Sequence, residues 1–292
     1  MDQQEIHARI SHILLNPEAM FRYRTDKSSL SRAITLSEVV FHSVVRSVRS
    51  KHNNAFMALG TNIVQSVMFV LFFYFMFTVM GIKGAAIRGD FLLYMMSGVF
   101  LFMTHTKTVG AVVGAEGASS PMMQHAPMNT TIAILSAALG ALYLQVLSML
   151  IILFAYHVAF TPIHIEEPIP AFGMMLLSWA SGAAIGLVLY VLKPWLPGAI
   201  GIISTIYQRS NMLFSGKMVL ANTLPGYMLP MFIWNPLFHT IDQARGYIFI
   251  NYNPHVTWWE YTVWLALIFL VLGLMGEFYT RRSVSLSWGA KR

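Results

Sequence analysis

The residues of this chain that could do chemistry are few, and they stand in apolar surroundings. The stretch NPLFHTIDQARGYIF, residues 235–249, sets a Pro, a His, an Asp and an Arg among Leu, Phe and Ile. Asn235 suits a helix N-cap, and Pro236 suits the first helical position. From there His239, Asp242 and Arg245 recur every three residues and share one stripe. Asp242 and Arg245 are spaced to pair, so that neither charge need face an apolar medium alone. Such a stripe either lines a polar opening or faces water. Two further cations, Lys107 and Arg209, interrupt apolar runs. Lys107, about two turns from a helix end, either snorkels to the surface or receives an anionic headgroup. Arg209 stands in STIYQRSN, residues 204–211, which is too polar to face lipid; it points to a cavity or to a seam between copies. Rings such as Tyr74, Phe75, Tyr207 and Trp234 can pack on the C–H faces of sugars, although aromatics are also ordinary lipid-facing and interfacial residues.

The same inventory excludes several classes. There is no Cys, hence no disulfide, thiol nucleophile or thiolate metal site. No GxxxxGK[ST] phosphate loop occurs, and no acidic pair suited to hydrolysis or to metal-dependent transfer. Work that requires ATP would need a second chain to bind the nucleotide. His105, between Thr104 and Thr106, offers a proton path and makes a secondary transporter the alternative class. Against it, the apolar runs hold no Asp or Glu except Glu116, Glu260 and Glu277 at or near their ends, and no inverted repeat is visible.

The elements that must carry these residues follow from composition. Of 292 residues, 56% are hydrophobic and 11% charged, against about 25% charged in a soluble domain. The net charge of +7 is read as a cytoplasmic, lipid-facing excess and not as nucleic-acid binding. The first 25 residues lack a signal-peptide core, so a cytoplasmic N-terminus is expected. A helix crosses a bilayer with about 20 apolar residues. Six runs qualify: Phe56–Ile82, Phe91–Gly114, Thr131–Phe160, Phe172–Leu192, the shorter Gly198–Ser215, and Trp258–Tyr279. Thirteen Lys and Arg fall on the side of the termini and four on the other, which places both termini inside.

Two segments outside these runs have their own character. In residues 30–54, Leu30, Ile34, Phe41, Val44, Val45 and Val48 share one helical face opposite Arg32, Arg46 and Arg49, as in a helix lying in the membrane interface. Thr35 with Glu38 forms a possible capping box at its start. Residues 216–257, on the outer side, are too oily for a solvent loop and too broken by Gly and Pro for one span. The reading that fits is a pair of short re-entrant helices, the second starting at Pro236.

The pattern LP-x8-WNPL-x-H-x2-D-x2-R, Leu224-Pro225 followed by Trp234 to Arg245, resembles the C-terminal part of ABC-2-type permeases that export capsular polysaccharide or lipopolysaccharide O-antigen. Lys107-Thr-Val-Gly-Ala resembles the inner end of that family's second span. Pro127-Met-Asn-Thr resembles the start of its third, with Asn129 where Asp is usual. The similarity covers residues from about 30 to 282. It implies an all-α integral membrane fold of the ABC-2, or type V exporter, kind with a six-span permease domain 55–282; outside it the expected parts are a cytoplasmic extension 1–29, which the similarity does not cover, the interface helix 30–54 and a cytoplasmic tail 283–292. It implies a homodimer in the bacterial inner membrane and two copies of a separate ATPase subunit that holds ATP and Mg, this chain binding no cofactor and no metal and having no enzyme activity of its own. The cargo would be a lipid-linked glycan, with another glycolipid, a teichoic acid or a drug as alternatives and a periplasmic polysaccharide co-polymerase or adaptor as a further partner. Glu116, Ser119, Ser120, Pro121, Met122, Met123, His125 and Pro127 would form the ATPase-coupling loop, in which the two Met side chains can fit an apolar groove. Pro225, Trp234, Asn235, Pro236, His239, Asp242 and Arg245 would form a re-entrant gate. Tyr74, Phe75, Lys107, Tyr207 and Arg209 are the pathway candidates.

Overall fold

The computed structural model describes residues 29–50, 55–81, 89–117 and 129–289. Among them there are eight α-helices and no strand. They are α1 (Ser29–Ser50), α2 (Ala55–Val79), α3 (Phe91–Val113), α4 (Thr130–Ala159), α5 (Pro168–Leu192), α6 (Pro197–Phe214), α7 (Pro236–Ile248) and α8 (Trp259–Gly289). The chain divides at His42 and Ser43, within α1, into two compact units. α1 begins at Ser29, so Thr35 and Glu38 lie inside the helix and do not cap it.

Among the described residues, four helices are long and apolar enough to cross a membrane: α2, α4, α5 and α8. This is the signature of an integral membrane protein. The runs expected as the second and fifth spans, α3 and α6, fall short of that standard for separate reasons. α3 carries His105, Lys107 and three Thr in one turn and a half, yet residues 93–106 are buried without a break. Protein covers it, so it need not be as apolar as a lipid-facing helix. α6 is short, at 18 residues, and carries Gln208, Arg209 and Asn211.

α3 is the hub, with α2, α4, α5, α6 and α7 packed against it. α5 lies closest, because small residues let the two backbones meet. A Cβ on Gly182 of α5 would stand 2.7 Å from the His105 carbonyl oxygen of α3. Gly182→Val is therefore expected to force the helices apart and cost at least about 1–3 kcal/mol, read as a lower unfolding temperature in detergent. α8 packs on α5 in the same manner, with Gly273 against Leu187 and Gly276 against Val191. Buried amides join α2 to α4, where Asn62 Nδ2 donates to Gln145 Oε1 and to Ser148 Oγ at 2.9 Å.

The start of α3 is tied to the end of α4 by Asp90. Its Oδ1 caps α3 by accepting from the Leu92 N–H at 2.9 Å. Its Oδ2 accepts from the Tyr156 hydroxyl and from Thr161 Oγ1. Burial pushes the carboxyl up, but these donors outweigh it and hold it below its ordinary 3.8. A depressed carboxylate stabilises in full above the unfolded value and loses that stabilisation as pH falls through the folded one. Acid titration below about 3.8 should thus loosen the α3–α4 corner, and Asp90→Asn should remove that part of the acid dependence, as followed by hydrogen exchange at Leu92 and Leu93.

Candidate functional site

Between α6 and α7 the chain forms two three-residue 3₁₀ turns, Ala221–Thr223 and Leu229–Met231. A short helix is expected there. Pro225, Gly226 and Pro230 prevent it by removing amide donors and adding backbone freedom. The second expected helix is present as α7, and its start is built as the sequence suggests. Asn235 Oδ1 accepts from the Leu237 N–H at 3.0 Å, and Pro236 follows at the first position. Asn235 Nδ2 also donates to Asn211 Oδ1 at 2.8 Å and to the Phe214 carbonyl at 3.0 Å, which binds the start of α7 to the end of α6.

The polar stripe of α7 neither lines an opening nor faces water. His239, Asp242 and Arg245 are all buried. His239 lies between the Ile233 carbonyl at 2.7 Å and the Trp258 N–H at 3.1 Å. The carbonyl places the ring proton on Nε2, and Nδ1 then accepts. Asp242 accepts from Tyr252, Thr257 Oγ1 and the Ala221 N–H. Arg245 spans the loop after α6, donating to the carbonyls of Gly216 at 2.9 Å, Val219 at 3.0 Å and Lys217. Its guanidinium lies 4.1 Å from the centre of the Tyr94 ring. The expected Asp242–Arg245 pair is absent: among the described residues the ion pair is Arg46–Glu116, and each α7 charge has its own set of dipolar partners. Gly98 of α3 makes room for this arrangement, since a Cβ there would meet the Lys217 carbonyl at 2.6 Å and Arg245 Nη2 at 2.8 Å. Of the other two gate candidates, Pro225 is exposed, and Trp234 is half exposed with its indole N–H donating to the Met231 carbonyl.

A cavity of about 470 Å³ lies between α2, α3 and α6. That is many times the roughly 30 Å³ share of one water. Lys107 and Arg209 both line it, with the amides of Gln65 and Gln208 and the hydroxyls of Thr106 and Thr205. Phe69 and Phe102 supply ring surface. Among the described residues no carboxylate lines the cavity. Lys107 Nζ donates to Gln65 Oε1 across the gap between α3 and α2. The cavity is thus a half-polar cleft with two cations, several neutral donors and acceptors and two ring faces, suited to an anion attached to a larger hydroxylated body.

The structure brings two of the five pathway candidates together, Lys107 and Arg209. Tyr74 and Phe75 lie on an exposed part of α2 away from the cavity. Tyr207 points into the protein, where its hydroxyl donates to His105 Nε2 at 2.8 Å. His105 Nδ1 lies 3.1 Å from the Ser178 carbonyl and 3.0 Å from Ser181 Oγ. The carbonyl fixes the Nδ1–H tautomer, so His105 is a joint between α3, α5 and α6 and is not among the residues lining the cavity. The ring residues that do line it, Phe69 and Phe102, were open to detection. Phe102, Thr106 and Lys107 share a helical face, as do Thr205, Gln208, Arg209 and Met212.

One more cation is buried beside the cavity. Lys217 donates to the Met212 carbonyl, and its ammonium lies 4.0 Å from the Phe102 ring centre and 5.1 Å from that of Phe73. Among the described residues no carboxylate is within ion-pair distance of it. Each ring contact is worth up to about 2 kcal/mol when desolvated.

Of the coupling-loop candidates, Ser119, Ser120, Pro121, Met122, Met123, His125 and Pro127 lie outside the described residues. Glu116, just ahead of them, pairs with Arg46 at 3.9 Å, both half exposed. The adjoining end of α3 is held from α5: the Tyr190 hydroxyl donates to the Glu116 carbonyl, and Lys193 Nζ to that of Val113. Comparison with known proteins finds no matching family model and no curated relative.

Proposed function

We propose that the chain is the membrane-spanning permease subunit of an ATP-driven exporter, and that it moves a lipid-linked polysaccharide across the bacterial inner membrane. In this reading α2, α3, α4, α5, α6 and α8 are six spans, both termini are cytoplasmic, and the 216–257 segment with α7 folds back within the outer leaflet. Two copies work with two copies of a separate ATPase.

The observation that carries the reading is the cavity with Lys107 and Arg209. A charge at membrane depth costs roughly 2.5–3.5 kcal/mol, so it is kept where it faces a cavity, a partner or a ligand. Arg209 is exposed on α6 and engages no described acid. A phosphate or diphosphate at the junction of lipid and sugar would satisfy it together with Lys107. Gln65, Gln208, Thr106 and Thr205 would meet sugar hydroxyls, and the two Phe rings would pack on C–H faces. The test is co-purification with the ATPase, followed by ATP hydrolysis with and without a lipid-linked oligosaccharide. Stimulation by the oligosaccharide supports the reading; a chain that binds no ATPase refutes it.

A further inference from the structure

Lys217 is a buried titratable group to which the export reading gives no part. It is 2% exposed. Among the described residues, one of its three N–H donors has an oxygen, the Met212 carbonyl, and the charge otherwise rests on two ring faces. The fold fixes the backbone closely at this point. Gly216 before it has φ of +68°, and a side chain there would strike the Phe238 ring. Gly98 leaves space for the Lys217 carbonyl, and Arg245 binds that oxygen. Among the described residues no carboxylate lies within ion-pair distance of the ammonium.

Its two nearest contacts tell where it faces. Phe102 and Met212 touch the ammonium, and both also line the cavity that holds Lys107 and Arg209. One layer of side chains therefore separates Lys217 from that cavity. Lys217 lies just past the end of α6, and its side chain folds back so that the ammonium meets the Met212 carbonyl, three residues and about 4.5 Å of helical rise beyond Arg209.

We propose that Lys217 is a second anion station, occluded by Phe102, which receives a phosphate-type headgroup after it leaves Lys107 and Arg209. This rests on reading the cavity as the first anion site. When the Phe102 ring turns aside, the donors now directed at π faces turn to phosphate oxygens. The Phe102 contact holds the charge in the interval and keeps the two stations from being one continuous pore.

The full chain in lipid nanodiscs tests this with geranylgeranyl diphosphate as a lipid-borne anion and inorganic pyrophosphate as a free one. Phe102→Leu shrinks the barrier and keeps it apolar. Amine acylation of Lys217, read by mass spectrometry, should be faster in F102L than in the wild type and be slowed again by the prenyl diphosphate. Equal protection by pyrophosphate supports the station and assigns it to free anions. The F102L/K217Q chain should bind the prenyl diphosphate roughly tenfold more weakly than F102L, the loss of one charge-assisted contact, while F102L/K217R keeps its affinity. If F102L and F102L/K217Q bind alike, Lys217 is no station. Should F102L not fold, Phe73→Leu takes its place: tenfold weaker binding on adding K217Q supports the station, and equal binding overturns it. Failure of the first site reads differently: K107Q/R209Q would then bind the prenyl diphosphate as tightly as the wild type.

Discussion

Replacing Arg245 with Ala should release the loop after α6 and lower the unfolding temperature in detergent by on the order of 10 °C, from the loss of about 3–5 kcal/mol. The side chain is fully buried and donates to three carbonyls of one turn. Without it those oxygens stay buried and lack their donor, and the ring of Tyr94 faces a void. Arg245→Lys should recover little, because an ammonium cannot span carbonyls of Gly216, Lys217 and Val219 with the planar fork that Arg supplies. Exchanging the two charges of α7, as Asp242→Arg with Arg245→Asp, should be no better than either single change. Asp242 accepts from Tyr252, Thr257 and the Ala221 amide, and an Arg there would set a cation against donors. A swap that restored stability would show that the two charges act as a pair after all.

The second large effect belongs to the cavity. K107Q/R209Q should weaken binding of a lipid-linked diphosphate about 100-fold, since each cation contributes a charge-assisted contact of about 1.5 kcal/mol or more. Each single change should cost about tenfold by the same reasoning. Arg209→Lys should keep more affinity than Arg209→Gln, as charge outlasts fork geometry. Binding to the purified chain in nanodiscs measures this without the ATPase, and unfolding temperatures separate it from general damage. Because Lys107 also bonds Gln65 of α2, a small drop in stability is expected in K107Q and not in R209Q.

The parts of this fold that were legible in the sequence are those set by local chemistry. Long charge-free runs gave α2, α4 and α5 their length and apolarity, and α8 its apolar middle between Glu260 and Glu277. The Asn-Pro pair marked the first turn of α7, because both the capping oxygen and the missing proline N–H serve the same helix end. The parts that were not legible depend on what covers a face. Periodicity put His239, Asp242 and Arg245 on one stripe, but it could not tell that Tyr94 and Gly98, some 150 residues earlier, would close over it. Opposite charges three residues apart suggested a pair, yet each found better-placed dipoles from a loop. The cavity shows the same limit. Lys107 and Arg209 each stood out as a cation in an apolar run, and only the packing of α6 beside α3 sets them on one wall. Tyr207 is one residue before Gln208 and points to His105 instead, since neighbours on a helix face different ways.

The most direct measurement is transfer of a fluorescent lipid-linked oligosaccharide in proteoliposomes that hold the chain and its ATPase. Movement to the far leaflet should require ATP and should fall to the protein-free rate in K107Q/R209Q. Transfer that proceeds without the ATPase, or that is as fast in the double variant as in the wild type, would contradict the account.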